Sequence, residues 1–249
     1  MPPVYFKQFP RDRALSPCEN SPFMVGLKAP RLRALLFAAF ALPLVVGSSP
    51  SRADESVLAP PSLALSPAEK LAVFLDKLGV ERLWQPRVAI VWDTGEPAGR
   101  AANHPDSVTH CSAFVAAASK RLRVELLHPP EHPMKLLANA QYDWLAREDQ
   151  GRAQGWTPLE SPLVAQHRAN DGDLVVAVYK SPDTAKPGHI AIVRPSDKSA
   201  ESIDREGPQI IQAGKTNYVS TSLARGFSQH PGAWSNRAVR FYAHAVSLP

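Results

Sequence analysis

Apolar positions in this chain recur with two different periods, and the change from one to the other divides it. Between residues 66 and 79 the period is helical. Leu71, Phe74, Leu75 and Leu78 are spaced to fall on one face of a helix. Ser66-Pro67-Ala68-Glu69 ahead of them forms a capping box with proline at the first helical position, and Gly79 supplies the stop. A short strand is expected over residues 88–92, then a loop over 94–107 containing Gly95, Pro97, Gly99 and Pro105. A second helix is expected over about 111–123. A third begins near Pro133 and turns Leu136, Leu137, Ala140, Trp144 and Leu145 inward. Beyond Gly172 the apolar runs become β-rich, over 173–179, 189–193, 209–213 and 238–246, divided by Pro, Gly, Ser and Asp. Helices first and antiparallel strands later predict an α+β domain.

The amino-terminal stretch follows neither pattern. Lys28, Arg31 and Arg33 precede an apolar run over residues 34–46, and small residues follow up to Ala53. A basic segment, a short apolar core and a small-residue end are the parts of a secretory signal. The run is too short to cross a bilayer of roughly 30 Å, and it contains Pro43. The expectation is translation from Met24 and cleavage after Ala53, with residues 1–53 as presequence and signal peptide. Residues 54–65 would be a flexible leader and residues 66–249 the folded domain. The protein would be exported, to the periplasm or the extracellular space, with no transmembrane segment in the mature chain.

Cleavage changes the charge. Of 28 basic and 23 acidic residues, seven and two lie in residues 1–53, which leaves 21 of each. A net charge of zero leaves no basic footprint for nucleic acid. Cys18 departs as well, so Cys111 is the one remaining thiol and no internal disulfide can form.

Thr109-His110-Cys111-Ser112-Ala113-Phe114-Val115 opens the second helix, with Thr109 as the expected N-cap. Cys111, Val115, Ala118 and Leu122 share one apolar face, so the helix should pack into the core and present the thiol at its N-terminal end. Free backbone N–H groups and the positive end of the helix dipole stabilise a thiolate there, and also an oxyanion. A small buried cysteine without chemistry is the competing reading. His189, in Pro187-Gly188-His189-Ile190-Ala191-Ile192-Val193, lies at the mouth of an apolar strand, where a general base can be held rigidly. Gln212 interrupts the apolar strand expected beside it and can fix the imidazole's tautomer, or can be an ordinary strand-edge amide. Asn217 is a second candidate for that role.

The blocks at residues 109–118, 172–193 and 208–214, in that order, resemble the papain-like cell-wall hydrolases: the NlpC-type peptidases and the CHAP (cysteine, histidine-dependent amidohydrolase/peptidase) domains. The resemblance covers well under half of the chain after Ala53. It implies a papain-like fold in which the nucleophile helix packs on an antiparallel sheet. It also implies a thiolate–imidazolium pair at Cys111 and His189 with Gln212 as third member, and no cofactor. The implied activity is a cysteine peptidase or amidase cleaving amide or isopeptide bonds in peptidoglycan stem peptides. Trp92, Asp93 and Thr94 stand where relatives supply a second oxyanion donor, and Trp92, His110 and Asn217 are candidate substrate contacts. His110 stands where many relatives have Asp or an aromatic, and Gln212 where His, Asn or Glu is usual. Two alternatives therefore stay open: a silent cell-wall or lipid-binding domain on the same scaffold, and a lipid acyltransferase or thioesterase.

Other constellations carry less. His128 and His132 flank Glu131 at a spacing used for helical zinc ligands, but Pro129 and Pro130 forbid that helix, so no metal is expected. His110 is expected to face solvent. His104, His167, His230 and His244 have no partner pattern and read as surface or satisfied core residues, and Trp234 as core or groove lining. There is no Gly-x-Ser-x-Gly elbow, Walker loop or dinucleotide fingerprint.

Overall fold

Six antiparallel strands form one sheet in the order β1-β6-β2-β3-β4-β5, and helices cover both of its faces. The computed structural model describes residues 64–99 and 109–248. The chain divides into two units, Met1–Leu58 and Ala59–Pro249, and every described residue belongs to the second. The expected signal segment, most of the leader and residues 100–107 of the expected loop lie outside the described residues.

Helix α1, Pro67–Lys77, starts as its sequence requires. Ser66 Oγ accepts from the Glu69 N–H, and the Glu69 carboxylate accepts from the Ser66 N–H at 2.8 Å. Leu71 and Leu75 are buried, and Gly79 turns the chain at φ 69°. Residues 88–92 do not form a strand. They make an irregular hairpin in which Ile90 bridges Pro97 and Val91 N–H donates to Glu96 O at 2.9 Å. A two-sided ladder is missing because the segment packs along a helix instead of a sheet.

That helix, α2, spans Cys111–Arg121 and is buried from Cys111 through Ser119. One apolar face was expected, yet it is enclosed all round, and the alanines at 113 and 116–118 let its neighbours approach. Helix α3, Leu137–Ala146, begins at Leu136 with φ 59°. It buries Leu137 and Leu145 as expected, together with Gln141, whose amide donates to Ser112 O at 3.2 Å and Leu127 O at 2.9 Å. A π-helical turn, Glu148–Arg152, leads to strand β1, Thr157–Leu159, and helix α4, Pro162–Asn170, whose N-cap is Ser161.

Strands β2, Leu174–Tyr179, and β3, His189–Val193, are buried at every position and pair antiparallel from Val175–Val193 to Tyr179–His189. Helix α5, Ala200–Glu206, precedes β4, Gln209–Gln212, which pairs with β3. Strand β5, Tyr218–Ser222, runs into the short helix α6, Leu223–Gly226, and β6, Arg240–His244, returns to pair with β2 and β1. The period-2 alternation sorts the sheet's side chains into two apolar clusters. Val176, Val178, Ile190, Ile192 and Ile211 pack with α1, α2 and α3, and Val175, Ala177, Ala191, Val193 and Ile210 pack with Phe227 and Leu223. Because β2 and β3 are covered on both faces, polar side chains survive only at strand ends, and the site lies there.

Candidate functional site

Cys111 is the first residue of α2, and its sulfur is 4% exposed with its residue. The N-cap is His110, without a side-chain capping bond, so Thr109 is not the cap expected from its residue type. Thr109 instead offers its hydroxyl to the thiol. Burial pushes the Cys111 thiol up, and the N–H groups of Ile190, Ser112 and Cys111 and the Thr109 hydroxyl work against that rise. The helix dipole argument therefore holds in sign, but loss of water outweighs it.

His189 stands at the mouth of β3, opposite Tyr179 on β2. Its Nε2–H donates to Gln212 Oε1 at 2.8 Å, inside the protein. The amide's orientation is fixed independently, because Gln212 Nε2 donates to the Thr216 carbonyl at 3.2 Å and a carbonyl can only accept. The proton therefore sits on Nε2, and Nδ1 carries the lone pair. Glycines make the room. A methyl group on Gly226 would lie 2.5 Å from Gln212 Oε1, and one on Gly214 would lie 2.9 Å from its Nε2. The ring also meets Phe227 edge-on, with centroids 4.6 Å apart, and stacks on His230 at 5.3 Å. Burial lowers the His189 pKa to about 4 against the opposing bond from Gln212. His230 is likewise lowered to about 4, first by burial and then by the proximity of His189.

Thiol and imidazole reach β3 from different sides. Cys111 packs in the cluster of Ile190 and Ile192, whereas His189 lies against Phe227 of the other cluster. No hydrogen bond joins the sulfur to the imidazole among the described residues; what brings the two regions together is Thr109, two residues before Cys111, which lines the same cavity as His189. Among the described residues, the imidazole's hydrogen-bond partner is Gln212, and the thiol's partners are backbone N–H groups and Thr109. A cavity of about 370 Å³ opens on His189 and Gln212, and Thr109, Lys215, Tyr218, Arg225 and His230 line it.

The other expected contacts lie elsewhere. Trp92 stacks on His128 at 4.7 Å under Lys120, and Asp93 accepts from Lys120 Nζ at 2.6 Å. Lys120 is near the far end of α2, about 13 Å along the axis from Cys111 at 1.5 Å per residue. The segment with Trp92, Asp93 and Thr94 therefore supplies no oxyanion donor to this sulfur. His110 does not face solvent; it is 2% exposed, and its Nε2 bonds Val88 O at 2.8 Å. Asn217 does not orient His189. Its Nδ2 donates to the carbonyls of Val80, Leu83 and Trp84, and its Oδ1 accepts from the Gly214 N–H, which ties the β4–β5 turn to the segment after α1. His230, expected at the surface or satisfied in the core, stacks on the imidazole instead. No spacing in the chain foretells this, because the turn after α6 brings it in. The prolines at 129 and 130 keep His128 and His132 off any helix, and each Nδ1 bonds the carbonyl of the following proline at 2.7 Å. Among the described residues, no group of three or more His, Cys, Asp or Glu could hold a metal ion, and no helix is long and apolar enough to cross a membrane.

No protein-family model matches the chain, and no curated protein matches it.

Proposed function

We propose that the chain is an exported papain-like cysteine hydrolase that cleaves amide or isopeptide bonds in peptidoglycan stem peptides. Cys111 is the nucleophile, His189 the general base, and Gln212 the residue that positions the imidazole. The observation that carries the reading is the His189–Gln212 bond, which leaves Nδ1 as the basic nitrogen; it is supported by a thiol at a helix N-terminus whose preceding Thr109 lines the cavity that His189 faces.

Burial favours a neutral thiol and a neutral imidazole at rest, in place of the thiolate–imidazolium pair that the resemblance implies. Each charge alone is costly out of water, but the two formed together attract. Proton transfer therefore accompanies attack. The thiol leaves the Ile190 N–H, its proton passes to Nδ1, and a carbon–sulfur bond forms at the carbonyl. The N–H groups of Cys111 and Ser112 hold the oxyanion. His189 returns the proton to the leaving amine as the carbon–nitrogen bond breaks. Water then attacks the acyl-enzyme, giving its proton to Nδ1, and the thiol is released.

Burial of the sulfur and its raised pKa favour a second reading, a silent binding domain on the same scaffold. Mass spectrometry of murein fragments after incubation separates the two. The wild type should release stem-peptide products. Cys111→Ala should lower the rate by roughly 1000-fold or more while its circular dichroism spectrum is unchanged. Full activity in Cys111→Ala refutes the hydrolase, and a wild type that binds murein without cutting it supports the silent domain.

A further inference from the structure

We infer that the cavity at His189 selects substrates that carry a carboxylate near the scissile amide, with Lys215 and Arg225 as the groups that hold it. This rests on the hydrolase reading and names what that site accepts. Among the described residues lining the cavity, Lys215 and Arg225 are the charged ones, and no Asp or Glu joins them. Neither has a carboxylate partner among the described residues, whereas Lys120, Arg168, Lys180 and Arg194 each do. The excess is local, since the chain beyond Ala53 carries equal numbers of basic and acidic residues.

Both cations are held in place. The Arg225 guanidinium lies over the Tyr218 ring at 5.2 Å, and Lys215 Nζ donates to Gln229 Oε1 at 3.4 Å. They come from the two segments that also frame Gln212, the turn after β4 and the end of α6. Substrate charge and the orientation of the base are thus read by one constellation. A planar guanidinium and an ammonium together fit a carboxylate, which can bond one in a fork and the other at a point.

The test uses Cys111→Ala protein, which binds without turnover, and a soluble murein tetrapeptide with free carboxylates beside its fully amidated counterpart. Calorimetry should show the free form bound about tenfold more tightly, with the advantage shrinking in high salt. Added Lys215→Glu and Arg225→Glu should abolish or invert the preference. Lys215→Gln or Arg225→Gln, mild changes at exposed positions, should each remove part of it. Equal affinity for the two peptides, or binding of neither, overturns the inference. Wild-type cleavage of the same peptides is measured in parallel. Discrimination without cleavage refutes the hydrolase and leaves the carboxylate site standing. Cleavage without discrimination does the reverse.

Discussion

Two of the cavities among the described residues differ in kind, and the larger of the two is chemically the poorer. It encloses about 490 Å³ beside β1, β6 and the start of α4, against about 370 Å³ at His189. Its charged residues, Glu160, Asp204, Arg205, Arg237 and Arg240, are all exposed. Arg237 approaches Asp204 at 3.8 Å in open solvent, where such a pair is worth little. The smaller cavity sets a buried imidazole with a fixed tautomer against a buried amide and adds cations without carboxylates. Volume measures how much can enter. Reaction requires a titratable group out of water whose proton has one place to be.

After loss of the nucleophile itself, the largest effect that separates the two regions should come from Gly226, which lines the smaller cavity without a side chain. Gly226→Ala places a methyl group 2.5 Å from Gln212 Oε1 and from Ile210 Cδ1. Both are the free ends of side chains, so the backbone can stay while the carboxamide swings away from His189. Murein hydrolysis should fall roughly 100-fold, the scale of a general-base contribution. Gln212→Ala should match it, and the double variant should be no worse than either single one. Additive losses would mean that Gly226 acts on something other than this amide.

The sequence announces some of this arrangement and conceals the rest, for physical reasons. The capping box at Ser66, the thiol at a helix start, and Gln212 on the strand next to His189 are local or nearest-neighbour facts. Unbroken apolar runs in β2 and β3 force those strands inside, so a polar residue at their ends stands out. Helix α4 was also legible, because Ser161-Pro162 repeats the Ser-Pro start of α1, and the Ser161 hydroxyl accepts from the Val164 N–H at 3.2 Å. It is masked by weak amphipathicity, with Ala165 and Gln166 buried but Leu163 exposed. Trp92, His110 and His230 depend on the path of irregular segments, which no period encodes. His110 looked solvent-facing because imidazole is polar, yet one bond to the Val88 carbonyl lets it be buried.

The buried imidazole should also leave a mark on stability that the larger cavity cannot. The folded pKa of His189 is about 4, against 6.5 when free. Between those values the unfolded chain binds more protons, so stability rises with pH across the window and is lost as pH falls below about 6.5. At pH 5 the loss from this residue should be about 2 kcal/mol. Urea midpoints for the wild type and His189→Asn, compared at pH 7 and pH 5, isolate it, because contributions from carboxylates are common to both proteins. His230, half-buried and shifted in the same direction, adds to the slope, and in the variant it keeps the part of its shift that burial causes. A wild-type slope no steeper than the variant's would mean that the ring is hydrated in solution.

The smallest effect belongs to the larger cavity and completes the contrast. Trp234 is half-buried on its wall, and its Nε1–H donates to the Arg205 carbonyl at 3.2 Å. Trp234→Phe removes that bond and part of the ring while keeping an aromatic face. The stability cost should be about 1 kcal/mol, that of one partly exposed hydrogen bond. Murein hydrolysis should stay within about twofold of wild type, since a change at Trp234 reaches His189 only through the packed second cluster, which both Trp234 and Phe227 adjoin. That shared cluster makes the measurement sharp. If losing one indole edge slowed hydrolysis tenfold at unchanged stability, the larger cavity would be binding substrate. The two hollows would then be parts of one site running across the face of the sheet that carries Phe227.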